Sequence, residues 1–317
     1  MQITRAVITA AGRGARQFPA SDTVQKAMLP LVDRDGLTKP VLQIIAEEAF
    51  ESGIEEICVV IAPGDEEFYR RHFGSYSKNL RSAFQGVEWA EEQARRLDDL
   101  ESRLTYAVQA EPDGYGHAVW CARDFVGSEP FLLLLGDHLY VSSETRRCAR
   151  QLIDLADAEQ CAVSAVQATR EHMIRQYGTL SGKRLPDRSD VYVIEEIIEK
   201  PNPTLAELRL QVPGLRAGHY LCFFGMHFLT SSVMDVLQEK VRRDERENGQ
   251  IALTSALNDL ARREKYLALE TRGSRYNLGL KFGTVEAQIA LGLAGVDREQ
   301  LLAGLLESIV KLTQTHH

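Results

Sequence analysis

The first 170 residues alternate between short apolar runs and segments with helical spacing, and this alternation limits the possible folds. The apolar runs, which predict strands, are "RAVITA", "EEICVVIAP", "LTYAVQA", "PFLLLLGD" and "QCAVSAVQAT". Helical spacing begins at Pro40, which suits a first helical turn, and returns in "HAVWCARDF" and near 144–157. Parallel strands need long crossovers, which helices provide, so the pattern predicts an α/β fold with a mixed, mainly parallel sheet and helices on both sides.

The pattern changes after residue 170. Longer strands are predicted in "DVYVIEEIIEK" and "GHYLCFFGMHFL", followed by helices near 231–245 and 252–264 and a strand in "KYLALET". We interpret this part as a second lobe built onto the first sheet. The chain then continues into two amphipathic helices, "TVEAQIALGLAG" and "REQLLAGLLESIVKLTQ". The Leu/Ile/Val stripe of the second helix suits either a subunit contact or docking onto the same chain.

Composition excludes several classes of partner. The 317 residues are 44% hydrophobic and 26% charged, as expected for a globular protein with a sizeable core. The net charge is -8 and there is no run of Lys or Arg, so nucleic acids and membrane surfaces are poor partners. A small anionic substrate held by a few cations remains compatible with this charge.

Cysteine usage and the N-terminal sequence favour a cytoplasmic protein. The five cysteines are scattered, without a CxxC pair, and are expected to be buried thiols in a reducing compartment. The stretch "MQITRAVITAAG" lacks the long apolar region and cleavage site of a signal peptide, and no apolar run has the length of a membrane span.

The stretch "AAGRGARQFP" follows the first predicted strand and is a candidate anion-binding loop. Gly12 and Gly14 leave backbone N–H groups free of side-chain bulk at the carboxyl end of a strand. The loop lacks the third glycine of GxGxxG and the Gly-Lys-Ser/Thr of a P-loop, so it could equally be structural. Lys26 in "QKAMLP" could hold an ammonium against phosphate, the alternative being a solvated surface charge.

The motifs together resemble the bacterial UTP–glucose-1-phosphate uridylyltransferases, or UDP-glucose pyrophosphorylases, within the sugar-phosphate nucleotidyltransferases. "AAGRGARQFP" and "QKAMLP" are similar to the signatures AAG-x-GTR-x-x-P and PK-E-MLP of that family. The resemblance covers nearly the whole chain, with these segments in family order: "VQAEPDGYGHAVWCAR", "PFLLLLGDHL", "YGTLSG", "IIEKPNP", "NGQIALTSAL" and "SRYNLGLKFG". It implies a three-layer α/β/α, Rossmann-like nucleotidyltransferase fold.

The resemblance also implies a domain organisation. A catalytic domain would span 1–283, with a nucleotide-binding part over 1–169 and a sugar-binding part over 170–283. A C-terminal helical segment would span 284–317. The expected partners are small molecules, UTP and a sugar 1-phosphate, and the expected assembly is a homo-oligomer.

The resemblance assigns roles to individual residues. Arg16 and Lys26 would hold the triphosphate and Lys200 the sugar phosphate, and these three would be catalytic. Asp137, at the end of a buried strand, would bind Mg²⁺ with Asn277, and a carboxylate at that place suits this ion. Glu199, which as a strand neighbour of Lys200 should point to the opposite face, would take sugar hydroxyls. The substrate-binding set is Ala11, Gly12, Gly14, Gln109, Gly114, Gly116, His117, Tyr177, Gly178 and Glu199.

For some of these positions the residues alone allow other interpretations. Asp137 could be a loop or helix-cap aspartate, and Glu199 and Lys200 could be a solvated pair. Gly114 and Gly116 allow close approach to a flat base, or form an ordinary turn before a helix.

Several motif positions depart from the family pattern. Asn277 stands where the family has the aspartate of YDCG, and His138 stands for the second aspartate of GDD. Ala15, Ala27, Gln250 and Ser255 replace the threonine of GTR, the glutamate of PK-E-MLP, and the glutamate and aspartate of EIQLTDA.

Three functions follow from the resemblance and its departures. The first is formation of UDP-glucose and pyrophosphate from UTP and glucose 1-phosphate, since nucleotidyl transfer needs mainly positioning and charge neutralisation. The second is the same reaction with another nucleotide or sugar phosphate. The third is a nucleotide-sugar-binding or regulatory relative with impaired catalysis.

Overall fold

The computed structural model describes residues 3–14 and 24–314. The chain divides into two compact units. Unit 1 comprises 1–12, 49–135 and 149–271, and unit 2 comprises 13–48, 136–148 and 272–317. The domain boundaries expected from the sequence stay a prediction.

Unit 1 contains a nine-stranded sheet. Its strands in chain order are β1 (Arg5–Thr9), β4 (Glu56–Ile61), β5 (Leu104–Val108), β6 (Phe131–Leu135), β8 (Ala162–Arg170), β9 (Gly178–Arg184), β10 (Val191–Glu199), β11 (His219–Leu229) and β12 (Tyr266–Glu270). Unit 2 contains two short ribbons, formed by β2 (Pro30–Val32) with β3 (Thr38–Pro40) and by β7 (His138–Ser142) with β13 (Gly273–Asn277).

The main sheet is mixed, as predicted. Its strand order is β5-β4-β1-β6-β11-β8-β12-β10-β9. The first four strands are parallel, β12 runs parallel to β8, and the other neighbours are antiparallel. Strand β9 pairs also with β11, where Leu180 lies opposite Leu221. Strands β11, β8, β12, β10 and β9 therefore form a closed circuit of hydrogen-bonded neighbours.

Twelve α-helices lie in the described residues. They are α1 (Val41–Phe50), α2 (Glu66–Arg70), α3 (Tyr76–Ala83), α4 (Glu88–Ser102), α5 (Tyr115–Cys121), α6 (Arg123–Val126), α7 (Cys148–Glu159), α8 (Pro203–Arg209), α9 (Ser232–Arg243), α10 (Leu253–Arg263), α11 (Gly283–Leu293) and α12 (Arg298–Gln314). None of them combines the length and the apolar character needed to cross a bilayer.

The sheet of unit 1 is buried on both faces. In β1, Val7 belongs to a large apolar cluster with residues of α5, α9 and α10, such as Val119, Leu237 and Leu257. Ala6 and Ile8 point to the opposite face and are also fully buried. Strands buried on both faces are continuously apolar, which explains why β1 and "FLLLL" in β6 lack alternation.

Unit 2 is held together by polar contacts as well as apolar ones. The backbone of Val32 in β2 exchanges two hydrogen bonds with the side-chain amide of Gln288 in α11. Lys39 in β3 is buried, and its Nζ lies within 3.0 Å of Asp33, Asp35 and Glu47. Burial alone would lower the pKa of Lys39, but these carboxylates outweigh it and raise that pKa. The ammonium is therefore charged in the folded protein.

The beginning of α1 differs from the expectation. Pro40 was expected in the first helical turn, but it ends β3, opposite Pro30, and the helix begins at Val41. A proline without an N–H group is compatible with a three-residue ribbon that has no further strand beside it.

All five cysteines are free thiols. Four of them are buried, and Cys121 is half-buried. The expectation of scattered, buried thiols is confirmed for these four.

Candidate functional site

In unit 2, two polar side chains contact the carboxylate of Asp137, which lies two residues beyond the end of β6. The Nζ atom of Lys26 lies 2.6 Å from Asp137 Oδ2, and Nδ1 of His138 lies 2.8 Å from Oδ1. The side chain of Lys26 is 14% exposed, so it is not a solvated surface charge. Both oxygens of Asp137 therefore have a polar partner.

Gly14 lies against the side chain of Lys26. Its φ of +70° is in the left-handed region, and a Cβ atom there would come within 2.7 Å of Lys26 Cδ. Glycine at position 14 is thus needed both for the backbone conformation and for the space that Lys26 occupies.

The charges around Asp137 favour its ionised form. Burial works against a charged carboxyl group here, but the hydrogen bond from His138 and the ammonium of Lys26 outweigh it. The pKa of Asp137 therefore lies well below its ordinary value. Burial also lowers the pKa of His138, despite the carboxylate beside it, so His138 is neutral near pH 7 and donates through Nδ1.

The two predicted metal ligands lie on adjacent segments of unit 2. Asn277 ends β13 opposite His138, and the N–H of Leu278 donates to the backbone oxygen of Asp137 at 2.9 Å. The side-chain oxygen of Asn277 accepts a hydrogen bond from the N–H of Gly279 at 2.9 Å. Among the described residues, no group of three or more His, Cys, Asp and Glu side chains could hold a metal ion.

These donors fit a divalent ion that also binds a nucleotide. One carboxylate and one amide oxygen are hard oxygen ligands, and Mg²⁺ accepts so few protein ligands when phosphate oxygens and water complete its shell. They do not form a cage that holds an ion without phosphate. An ion at Asp137 would also compete with the Lys26 ammonium.

A second group of candidates lies in unit 1, beginning with Gln109 directly after β5. Its buried side chain donates from Nε2 to the backbone oxygen of Gly114 at 3.0 Å, and Nε2 lies 3.2 Å from Nδ1 of His117. A carbonyl oxygen only accepts, so Gly114 fixes which end of the amide is nitrogen. His117 then accepts through Nδ1 and carries its proton on Nε2, and its ring stacks on Trp120 with centroids 5.5 Å apart.

The segment from Gln109 to His117, which we call the base loop, contains two glycines that contact the chain near Ile251. A Cβ atom at Gly114, where φ is +106°, or at Gly116 would come within 2.8 Å of the backbone oxygen of Ile251. The N–H of Gly116 donates to that oxygen at 2.9 Å, and the N–H of Ile251 donates to Asp113 O at 2.8 Å. The chain segment before α10, which the sequence did not predict at this place, is therefore the neighbour that requires glycine.

The sugar-side candidates lie where β9 begins and β10 ends. The N–H of Lys200 donates to the backbone oxygen of Tyr177 at 3.1 Å. A Cβ atom at Gly178 would lie 2.8 Å from the ring of Phe223 and 3.2 Å from Oε2 of Glu199. The structure thus brings Tyr177, Gly178, Glu199 and Lys200 together.

The expected orientation of Glu199 and Lys200 is wrong. Their side chains were expected on opposite faces of a strand, but Lys200 Nζ lies 3.0 Å from Glu199 Oε1. Strand β10 ends at Glu199, and Lys200 has a φ of +46° in the left-handed region. Alternation does not continue past the end of a strand, and a non-glycine residue held there is strained, which is typical of functional sites.

The remaining candidates belong to the glycine loop. Ala11 and Gly12 follow β1, whose next residue, Ala10, donates its N–H to Val60 O at 2.8 Å. A Cβ atom at Gly12 would meet nothing within 4 Å among the described residues. Arg16 and Ala15 lie outside the described residues.

Sequence reasoning missed Thr254, which contacts the candidate residue Glu199, and Arg246, which contacts Asp113 directly before the candidate Gly114. Thr254 Oγ1 donates to Oε2 of Glu199 at 2.5 Å, and the guanidinium of Arg246 binds both carboxylate oxygens of Asp113 at 2.5 and 2.9 Å. Thr254 is the retained threonine of the EIQLTDA motif, a signal that could have identified it. No comparable signal marks Arg246.

Comparison with known proteins gives consistent results. The family described as Nucleotidyl transferase matches residues 5–274. A UTP–glucose-1-phosphate uridylyltransferase of Bacillus subtilis, YngB, is 34% identical over 98% of this chain and 96% of its own length. A second uridylyltransferase of that name from the same organism is 31% identical over 98% of both chains.

Solved structures agree with these sequence relatives. A UDP-glucose pyrophosphorylase in complex with UDP-glucose superposes with a TM-score of 0.72 at 27% identity, covering 91% of this chain and 98% of its own. The α/β nucleotidyltransferase fold expected from the motifs is confirmed. The chain therefore belongs to the nucleotidyl transferase family, among its UTP–glucose-1-phosphate uridylyltransferases.

Proposed function

We propose that this chain transfers a uridylyl group from UTP to glucose 1-phosphate, giving UDP-glucose and pyrophosphate. The observation that carries the proposal is the pair formed by Lys26 and Asp137, 2.6 Å apart and largely buried, in a chain of this family. The ammonium can bind a triphosphate. The ionised carboxylate beside it can bind the cation that accompanies the triphosphate.

The triphosphate is the part of UTP that Lys26 would bind. In line with family motifs, Arg16 and the backbone N–H groups of Ala11, Gly12 and Gly14 would share this task. The sugar phosphate attacks the α-phosphorus in line, and negative charge grows on the leaving pyrophosphate. Cations placed there stabilise that charge in the transition state, which is most of what this reaction asks of the protein.

The sugar phosphate would be bound by residues at the ends of β9 and β10. Lys200 would bind its phosphate group, and Glu199 would accept hydrogen bonds from sugar hydroxyls. Tyr177 and Gly178 lie next to these two residues, and the absence of a side chain at Gly178 leaves room for Glu199. Holding the nucleophile in place removes much of the entropic part of the barrier.

The base of the nucleotide would be bound by Gln109 and the loop that follows it. The hydrogen bonds to Gly114 and His117 hold the amide group in one orientation. Gly116 keeps the loop close to Ile251, so the loop has a defined shape before a base binds.

Family membership indicates a divalent metal, and we infer that the ion is Mg²⁺. Asp137 would hold it, with Asn277 as a neutral ligand in the place of a family aspartate. When bound, this ion neutralises charge on the phosphate oxygens. The ammonium of Lys26, no longer paired with Asp137, would then be available to bind the phosphates.

One observation favours a second candidate, a binding protein with impaired catalysis. Both oxygens of Asp137 are engaged by Lys26 and His138, and the oxygen of Asn277 accepts from Gly279. Metal binding could therefore be too weak for turnover. Another nucleotide or sugar phosphate as substrate is the remaining alternative.

Pyrophosphate release by the purified chain distinguishes these functions. Release is measured from UTP and glucose 1-phosphate, with and without Mg²⁺, and from other pairs of nucleotide and sugar phosphate. Each measurement is made on the wild type and on Asp137→Asn. Release that needs Mg²⁺ and is lost in the variant supports the proposal. Nucleotide binding without any release would favour the binding protein, and release with another pair would change the assigned substrate.

We infer that the chain forms a homo-oligomer and acts in the cytoplasm, the latter supported by its five free thiols. We also keep the catalytic domain at 1–283 and the C-terminal helical segment at 284–317.

A further inference from the structure

The carboxylate of Glu199 is held at both oxygens. Thr254 Oγ1 donates to Oε2 at 2.5 Å, and Lys200 Nζ lies 3.0 Å from Oε1. A hydrogen bond from a hydroxyl group to a carboxylate is charge-assisted and belongs to the strong class. Because an ionised carboxylate can accept about four hydrogen bonds, Glu199 keeps acceptor capacity for a ligand while its plane is fixed.

Helix α10, which carries Thr254, is attached to the strand that carries Glu199. Asn258, one helical turn after Thr254, accepts a hydrogen bond from the N–H of Ile197 in β10 at 3.0 Å. Residues four apart lie on the same helix face, so Thr254 and Asn258 fasten that face to β10 at two points. The position of the Thr254 hydroxyl is therefore fixed relative to Glu199.

The start of α10 is also attached to the base loop. Ile251 exchanges backbone hydrogen bonds with Asp113 and Gly116, and Arg246 binds Asp113 through two nitrogens. The segment from 246 to 254 thus contacts the loop assigned to the base at one end and Glu199 at the other. Thr254 is the residue of this segment that reaches the carboxylate.

The use of the Thr254 hydroxyl differs from that of its neighbour. Ser255 donates to the backbone oxygen of Ala252, within its own helix turn, at 3.3 Å. Such local bonding is the common behaviour of Ser and Thr in a first turn. The hydroxyl of Thr254 instead donates a hydrogen bond to Glu199, 55 positions away in the chain.

We propose that Thr254 is a positioning residue for sugar binding, which acts by orienting the carboxylate of Glu199 towards the sugar hydroxyls. This inference rests on the proposed function of the chain. Without the hydroxyl, Oε2 loses its donor and the carboxylate can turn towards Lys200. Both the acceptor for the sugar and the cation for its phosphate would then be misplaced.

The variant Thr254→Val tests this role, because it keeps the branched shape and removes only the hydroxyl. We expect the KM for glucose 1-phosphate to rise about tenfold, in line with the loss of one charge-assisted hydrogen bond, while the KM for UTP changes less than twofold. Thr254→Ser should restore the wild-type KM. Ser255→Ala, one position away, is the matched control and should behave like wild type.

Binding of UDP-glucose, measured by calorimetry, gives a second readout that needs no turnover. Its Kd should rise in Thr254→Val and not in Ser255→Ala, with circular dichroism showing that both variants are folded. Three results would overturn the positioning role while the proposed function stands. They are an unchanged KM and Kd in Thr254→Val, equal losses of affinity in Thr254→Val and Ser255→Ala, and a KM that Thr254→Ser does not restore. A wild-type chain that neither turns over glucose 1-phosphate nor binds UDP-glucose would overturn both.

Discussion

At the scale of single residues, Lys26 is the side chain whose partner must change when a nucleotide binds. Its ammonium contacts the carboxylate of Asp137 at 2.6 Å. A triphosphate offers oxygens of higher charge, so the proposed mechanism moves the ammonium from one anion to the other.

Removing that charge should abolish most of the catalysis. We expect Lys26→Met, which keeps the length of the side chain, to lower kcat for pyrophosphate release about 100-fold or more, because a cation aimed at the leaving group is lost. Lys183→Met, at a side chain that is 80% exposed, is the control and should be fully active. Equal rates for wild type and Lys26→Met would remove Lys26 from the chemistry.

Gln109 permits a test of base recognition. Gln109→Met removes the amide but keeps the length of the side chain, so the group that His117 and Gly114 orient is gone. We expect the KM for UTP to rise about tenfold or more, because a polar edge of the base loses its partner. The KM for glucose 1-phosphate should change much less. If only the sugar KM moved, Gln109 would belong to a different part of the site.

Sequence predicted some of these residue contacts and not others. Lys26 and Asp137 were identified through the resemblance of their motifs to those of the family, and the structure joins their side chains. The pairing of Glu199 with Lys200 was predicted wrongly, because strand alternation gives no warning that Lys200 leaves the strand in a left-handed conformation. The motif could have marked Thr254, but its contact with Glu199, 55 residues away, is not encoded in any local pattern.

At the scale of elements, three strands of the main sheet are joined by a buried polar group. Ser164 of β8 lies 2.5 Å from His227 Nδ1 of β11 and 2.5 Å from the hydroxyl of Tyr266 in β12. Burial lowers the pKa of His227 to about 3, so this ring is neutral in the folded protein. The unfolded chain would bind a proton there below its ordinary pKa of about 6.5.

This difference predicts a loss of stability in acid. Between pH 6.5 and 3 the unfolded state binds a proton at His227 that the folded state does not. The contribution of His227 to the free energy of unfolding is therefore present above pH 6.5 and falls as the pH decreases. From pH 7 to pH 5 the decrease should be about 2 kcal/mol in the free energy of unfolding. The measurement is denaturant unfolding of the wild type and of His227→Asn at both pH values.

The variant should lose that pH dependence even if it is less stable overall. His172→Asn, at an exposed side chain, is the control and should keep it. A wild type and a His227→Asn variant with the same change between pH 7 and pH 5 would show that His227 is protonated in the folded state.

Elements were predicted well where the apolar signal was strong. Eight of the nine strands of the main sheet were found from their apolar runs, and α9 and α10 were found from their helical spacing. Strand β9, with the sequence "GTLSGKR", was not predicted, because its residues are small and polar rather than continuously apolar. The ribbons β2–β3 and β7–β13 were not predicted, since three to five residues carry too little pattern. The order of strands in a mixed sheet depends on long-range pairing, which alternation along the chain does not specify.

At the scale of the whole molecule, the last helix presents apolar side chains to solvent. On α12, Leu306 and Ile309 are 56% and 57% exposed, and Leu302, Val310 and Leu312 are exposed as well. The described part of the same chain therefore does not cover these residues. Docking of the stripe onto the same chain was one of the two uses expected for it. The other, a subunit contact, stays a prediction.

Light scattering of the purified protein checks that prediction. We expect a mass of at least two chains of 35.5 kDa, because a contiguous apolar face is usually covered by a partner. Leu306→Glu with Ile309→Glu should reduce the mass to one chain, and Glu307→Ala on the same helix should not. A wild type that runs as a single chain would leave the homo-oligomer without support.

The burial of the thiols has a practical consequence for following ligand binding. Burial raises the pKa of Cys58 and Cys161 to about 11, and the thiolate is the form that reacts with maleimides. Burial also raises the pKa of Cys121 and Cys148, and Cys222 is fully buried, so the native cysteines should be labelled slowly at neutral pH. A cysteine introduced at exposed Glu111, five residues before Gly116, would take a fluorophore first. The chain can thus be converted into an optical reporter of nucleotide binding without replacing any of its own cysteines.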